Sequence, residues 1–139
     1  MDLKVKTYPE ELTEFDFYGY IGKYFAEPTY KKQLPYMNHN ENRHWRLYFN
    51  QSNEFVGFSS YEIRKQCIYL TSTFIIEDYR GKGLGKQITN EVIDLFPNDV
   101  LKCVTNNEKG LKILKAKGFS CVNQRGSYKY LIKEGGQND

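Results

Sequence analysis

The residues best suited to chemistry lie in one run, EDYRGKGLGKQI at 77–88. Gly81, Gly83 and Gly85 alternate with Lys82 and Leu84, and Arg80 and Lys86 flank them. An apolar and hydroxylated run, CIYLTSTFII (67–76), leads in, and Leu84, Ile88, Val92 and Leu95 recur behind it at helical spacing. A strand passing through a glycine-rich loop into a helix is the physical outline of a pyrophosphate site. The first N–H groups of a helix lack carbonyl partners, and its dipole adds partial positive charge there. Missing Cβ atoms let an anion reach the backbone, and Arg80, Lys82 and Lys86 add mobile cations.

Spacing narrows the choice of nucleotide. The P-loop places four residues between its first Gly and the Gly-Lys pair, then Ser or Thr. Here three residues separate Gly81 from Gly85-Lys86, and Gln87 follows. The dinucleotide fingerprint GxGxxG needs Gly at 86, which is Lys86. Both are excluded.

The elements that must hold this loop follow from the rest of the chain. Its 139 residues fit one domain, residues 1–139, with 134–139 as a loose tail. Hydrophobic content of 40% and charged content of 27% are those of a soluble globular protein, and 16% aromatic residues favour strands. A net charge of +3 suits an anionic ligand without arguing for nucleic acid. Cys67, Cys103 and Cys121 lack metal-ligand spacing and read as reduced core thiols, so no metal is expected. The charged N-terminal segment is no signal peptide and no run is long enough to span a bilayer, which points to the cytoplasm.

Alternation predicts a first strand at 3–7. Pro9, Glu10 and Glu11 predict the start of a helix running to about residue 26. Residues 28–42 read as a long loop with at most one helical turn. Runs at 44–49, 54–63 and 67–76, joined by short polar turns, predict an antiparallel meander whose third strand is central. Pro97 closes the helix behind the glycine loop, and 100–105 is a further strand. Asn106-Asn107 caps a helix ending at Gly118, and strands at 119–124 and 127–133 turn at Arg125-Gly126. The class is mixed α/β (α+β), with a mostly antiparallel sheet of six or seven strands and three or four helices.

In this setting Arg80-Gly-Lys-Gly-Leu-Gly85 resembles the coenzyme A signature of the GNAT-type N-acetyltransferases: Arg or Gln, two residues, Gly, one residue, then Gly or Ala. NEKGLKILKAKGF (107–119) is similar to the family's second pattern, an Asn, a helix and a terminal Gly-Phe. The order of elements matches as well. The resemblance implies acetyl-CoA as co-substrate, its pyrophosphate held by the N–H groups of Gly81, Lys82, Gly83, Leu84, Gly85 and Lys86 beside Arg80. It further implies that Thr73, Phe74 and Ile75 pair through their backbone with the pantetheine arm, and that Asn107 lies near the pantetheine or the thiol.

Direct transfer of an acetyl group to an amine needs a neutral amine, a polarised thioester and a proton for the departing thiolate. Many family members supply that proton from a Tyr four residues before the Gly of Gly-Phe. That position is Leu114 here, a departure that leaves the acid unassigned. Tyr128 and Tyr130 are candidates for it, and Tyr69 or Glu62 for the base, directly or through water. His44 is a further candidate. The acceptor is a small-molecule or protein amine, bound by 28–45, the first helix and the last strands. Two other readings keep the fold: a CoA-binding protein without catalysis, favoured by Leu114, or a nucleic-acid substrate. The latter would use Tyr30, Lys31, Lys32, Tyr36 and Trp45 to stack and steer. A monomer or a homodimer is compatible with the sequence.

Overall fold

The structure, a computed structural model, describes residues 1–34 and 37–136. The strands are β1 (Lys4–Tyr8), β2 (Arg43–Phe49), β3 (Phe55–Ile63), β4 (Ile68–Ile75), β5 (Leu101–Thr105), β6 (Ser120–Arg125) and β7 (Tyr128–Lys133). The helices are α1 (Glu14–Ala26), the single turn α2 (Pro28–Lys31), α3 (Leu84–Asp94) and α4 (Glu108–Ala116), with a 3-10 turn at Glu77–Tyr79. All seven strands form one sheet in the order β1-β2-β3-β4-β5-β7-β6, so β4 is its middle strand. Every pairing is antiparallel except β4 with β5. Among the described residues no helix is long and apolar enough to cross a membrane.

Strand alternation divides the core between the two faces of the sheet. On one face Phe17, Ile21 and Tyr24 of α1 pack on Trp45, Leu47, Phe58 and Phe74. On the other, Val92 and Ile93 of α3 and Leu111 and Leu114 of α4 cover Ile68, Leu70, Leu101 and Leu131. The α3 stripe ends at Ile93, whereas Leu95, expected to continue it, is 47% exposed.

The first helix starts at Glu14 rather than at Pro9. Thr13 caps it by accepting from Asp16 N–H, and Glu14 and Asp16 supply the acidic first turn. The Glu11 carboxylate instead accepts from Thr7 N–H at 3.0 Å and from its hydroxyl at 2.9 Å. That local bond turns the chain before the helix can begin. Residues 134–136 are also tied down, since Gly136 N–H donates to Pro97 O at 2.8 Å. The remainder of the expected tail, 137–139, lies outside the described residues. Cys121 is exposed rather than in the core.

Candidate active site

Two local irregularities shape the centre of the sheet. The registered pairs of β4 with β5 end at Leu70↔Cys103, although β4 continues to Ile75 and β5 to Thr105. Beyond that rung the strands part, and backbone groups of β4 are turned toward the gap rather than into a ladder. On its other side β4 bulges: Ser59 faces Thr73 and Tyr61 faces Leu70, so Ser60 stands against both Thr71 and Ser72. Ser60 Oγ lies 2.6 Å from Thr71 Oγ1.

Arg43 of β2 holds this bulge. Its side chain is 1% exposed and its guanidinium stacks 4.3 Å from the Trp45 ring. Nη2 donates to Ser60 Oγ at 2.9 Å and to Ser72 Oγ at 3.0 Å, and Nη1 donates to Asn38 Oδ1 at 2.8 Å. One fork therefore joins the 28–42 loop to the middle strand. Burial draws its pKa down to about 10, against the opposing charge of Glu62. The sequence did carry a signal for Arg43: alternation puts it on the same core-facing side as Trp45 and Leu47.

A cavity of about 730 Å³ runs through the gap. Thr89, Val92, Gly110 and Leu114 of α3 and α4 line one side, and Glu62, Arg64, Tyr69, Tyr128 and Tyr130 line the other. The cavity thus has wall residues from both faces of the sheet where β4 and β5 separate. At the end of β4 stands the glycine loop. Gly81 (φ +79°) and Gly83 (φ +78°) occupy left-handed conformations that a side chain resists. Gly83 gives α3 no side-chain cap, and the first bond of the helix runs from Gln87 N–H to Gly83 O. The N–H groups of Leu84, Gly85 and Lys86 therefore have no intrahelical acceptor. Gly85 needs no special backbone angle, and a Cβ built there meets nothing within 4 Å. Protein packing therefore gives no reason for a glycine at 85.

A sequence model of the acetyltransferase (GNAT) family matches residues 7–119. The chain belongs to that family. ElaA of Escherichia coli superposes with a TM-score of 0.73 at 13% identity, covering 96% of this chain and 100% of its own. The spermidine N-acetyltransferase of Vibrio cholerae, in complex with CoA and spermine, gives 0.69 at 12% identity, covering 94% of both chains. The PaiA N-acetyltransferase of Thermoplasma acidophilum, in complex with coenzyme A, gives 0.61 at 15%, covering 96% and 99%. At such identities the likeness is one of fold. None of the curated proteins compared with the chain matches it in sequence.

Within this GNAT fold the residues singled out from the sequence are distributed unevenly. Of the three β4 residues, Thr73 lines the cavity, whereas the Phe74 side chain is buried in the α1-side core and Ile75 ends the strand. Arg80 is not a mobile cation. Its Nε donates to Ile75 O at 2.8 Å, its Nη2 to Gln33 Oε1 at 3.4 Å, and its guanidinium lies 5.0 Å from the Phe74 ring. It fastens the end of β4, leaving Lys82 and Lys86 exposed beside the loop. Asn107 lines the cavity and also caps α4, its Oδ1 accepting from Gly110 N–H at 2.6 Å. A Cβ at Gly110 would stand 2.9 Å from Thr105 Oγ1, so that close seat needs glycine.

Glu62, Tyr69 and Tyr128 share the cavity wall with Tyr130. Burial raises the pKa of Tyr69, with Cys103 adding to the rise and Arg64 opposing it. Burial likewise pushes the Cys103 thiol up to about 12, which makes it a poor nucleophile. Leu114 is 4% exposed and packed in the α3–α4 core. His44 lies on the opposite face of β2 from Arg43 and Trp45, its Nδ1 bonded to Glu10 and its ring stacked on Tyr61. Trp45 is fully buried, and Tyr30 is partly buried against Tyr24 and Phe74. Tyr36 lies outside the described residues.

Proposed function

We propose that the protein transfers an acetyl group from acetyl-CoA directly to a primary amine. The observation that carries this reading is the cavity crossing the sheet at the β4–β5 gap, beside an uncapped helix start whose Gly85 leaves room for a ligand. The N–H groups of Leu84, Gly85 and Lys86 would hold the pyrophosphate, with Lys82 and Lys86 adding charge. The parted backbone of Thr73–Ile75 would pair with the pantetheine arm and direct it toward the Leu70–Cys103 rung. Acetyl-CoA supplies an acyl carbon activated as a thioester.

Glu62 and Tyr69 then divide the proton work. The Glu62 carboxylate, on the cavity wall, takes a proton from the acceptor ammonium, directly or through water. The free amine forms the new N–C bond as the C–S bond breaks, and the second proton lost from its nitrogen passes through water to restore the Tyr69 phenol. Tyr69, whose raised pKa keeps the phenol protonated at neutral pH, donates to the departing thiolate. Tyr128 and Tyr130 line the acceptor side. The other reading, coenzyme A binding without transfer, draws on Leu114, which gives the α4 wall no proton donor.

Thiol release from acetyl-CoA across an amine panel, beside calorimetric titration of the cofactor, separates the two. Binding with amine-dependent thiol release is expected. Binding without release from any amine would favour the second reading, and no binding at millimolar ligand would reject both.

A further inference from the structure

We propose that the acceptor is a zwitterion, an α-amino acid or a compound with the same ammonium–carboxylate spacing, held between Glu62 and Arg64. This rests on the acetyl-transfer reading in taking this face of the sheet as the acceptor side. Glu62 and Arg64 both line the cavity there and carry opposite charges two positions apart. Their side chains meet at 3.5 Å, Nη2 to Oε1, longer than a tight charge-assisted bond. A ligand binding there would displace this long contact rather than a short, tight pair. Arg64 is nevertheless held in place, because its guanidinium lies 4.1 Å from the Tyr69 ring.

The charges around the cavity point the same way. Among the described residues its wall carries three cationic side chains, Lys32, Arg43 and Arg64, and one carboxylate, Glu62. Arg43 is buried and directed at Ser60, Ser72 and Asn38, so Arg64 is the cation facing an acceptor beside Glu62. An amine without an acid group would compete with Arg64 for Glu62. A polyamine would set its second ammonium against Arg64 and Lys32. A zwitterion instead exchanges one ion pair for two, ammonium to Glu62 and carboxylate to Arg64, leaving no charge without a partner. Its nitrogen then sits beside Glu62, whose strand neighbour Tyr69 adjoins the rung where the gap opens.

The test is calorimetric titration of the full chain, in the presence of coenzyme A, with alanine, methionine and phenylalanine. Each is compared with its decarboxylated amine, and spermine serves as the polycation. At least one amino acid should bind about 10-fold more tightly than its amine and than spermine. Arg64→Glu should abolish or reverse that preference, while Arg64→Lys should keep part of it. Arg64 is half-exposed, and melting curves check that both variants fold. No amino acid binding, equal or tighter binding of the amines, or an unchanged ratio in Arg64→Glu would overturn the proposal. Tight amino acid binding with no thiol release from acetyl-CoA would instead refute acetyl transfer and leave the zwitterion site standing.

Discussion

Glu62 of β3 and Tyr69 of β4 are directly opposed across the antiparallel ladder, one rung from the last pairing of β4 with β5. Cross-strand partners project to the same face, so a carboxylate and a phenol stand together where the sheet opens. Chemistry divided between them should respond differently to each substitution. Glu62→Gln should lower kcat by roughly 10²-fold or more with little change in the affinity for acetyl-CoA. Tyr69→Phe should lower kcat by about 10²-fold and remove an alkaline limb lying above the ordinary phenol value, because burial raises the Tyr69 pKa. Steady-state kinetics across pH on both variants check this, and an unchanged kcat in either removes that residue from the proton path.

Arg43 should matter for stability and cofactor affinity together. Lysine cannot reach Ser60, Ser72 and Asn38 with one planar fork, and it leaves buried hydroxyls short of a donor. Arg43→Lys should cost about 2–3 kcal/mol in urea unfolding. It should also weaken acetyl-CoA binding, because the bulge at Thr71–Ser72 loses its brace. Unfolding curves and calorimetry read the two effects separately.

Tyr24 gives a pH signature independent of function. It is 2% exposed, and burial pushes its phenol up to about 12, with Tyr30 and Glu27 adding and Arg80 opposing. The native state therefore keeps this proton at a pH where the unfolded chain has lost it. Its contribution is full below the unfolded value of 10.0 and falls as pH rises toward the folded one. Between those values stability should drop by about 1.4 kcal/mol per pH unit. Tyr24→Phe should lack this component in urea titrations compared with wild type.

The sequence exposed what is local and concealed what depends on pairing. The glycine loop, the Asn107 cap and the apolar stripe of Leu84, Ile88 and Val92 are written within a few residues, and each was legible. The start of α1 was misread because two local signals competed. Pro9 and Glu10-Glu11 resemble a helix entry, but Glu11 is spent on Thr7. The parting of β4 from β5 is a fact of register between segments far apart in the chain, invisible to periodicity. Arg80 resembles the loop lysines in sequence, and only the fold turns it back onto Ile75 and Phe74. Arg43 and Arg64 likewise acquire their roles from strands that meet only in three dimensions.

If the glycine loop seats the pyrophosphate of acetyl-CoA, a substitution at Gly85 reveals it more cleanly than one at Gly83. A side chain at Gly83 would strain a backbone at φ +78°, which confuses folding with binding. Gly85 has no such constraint and no protein neighbour within 4 Å of an added Cβ. Gly85→Ala should therefore leave the fold intact and stabilise α3 by up to about 0.5–1 kcal/mol through helix propensity. Calorimetric titration of acetyl-CoA into wild type and Gly85→Ala is the decisive measurement. Wild type should bind, and the variant should lose at least about 10-fold in affinity, or 1.4 kcal/mol, while melting no lower. Equal affinity in the two proteins, or no binding to wild type, would contradict that seating.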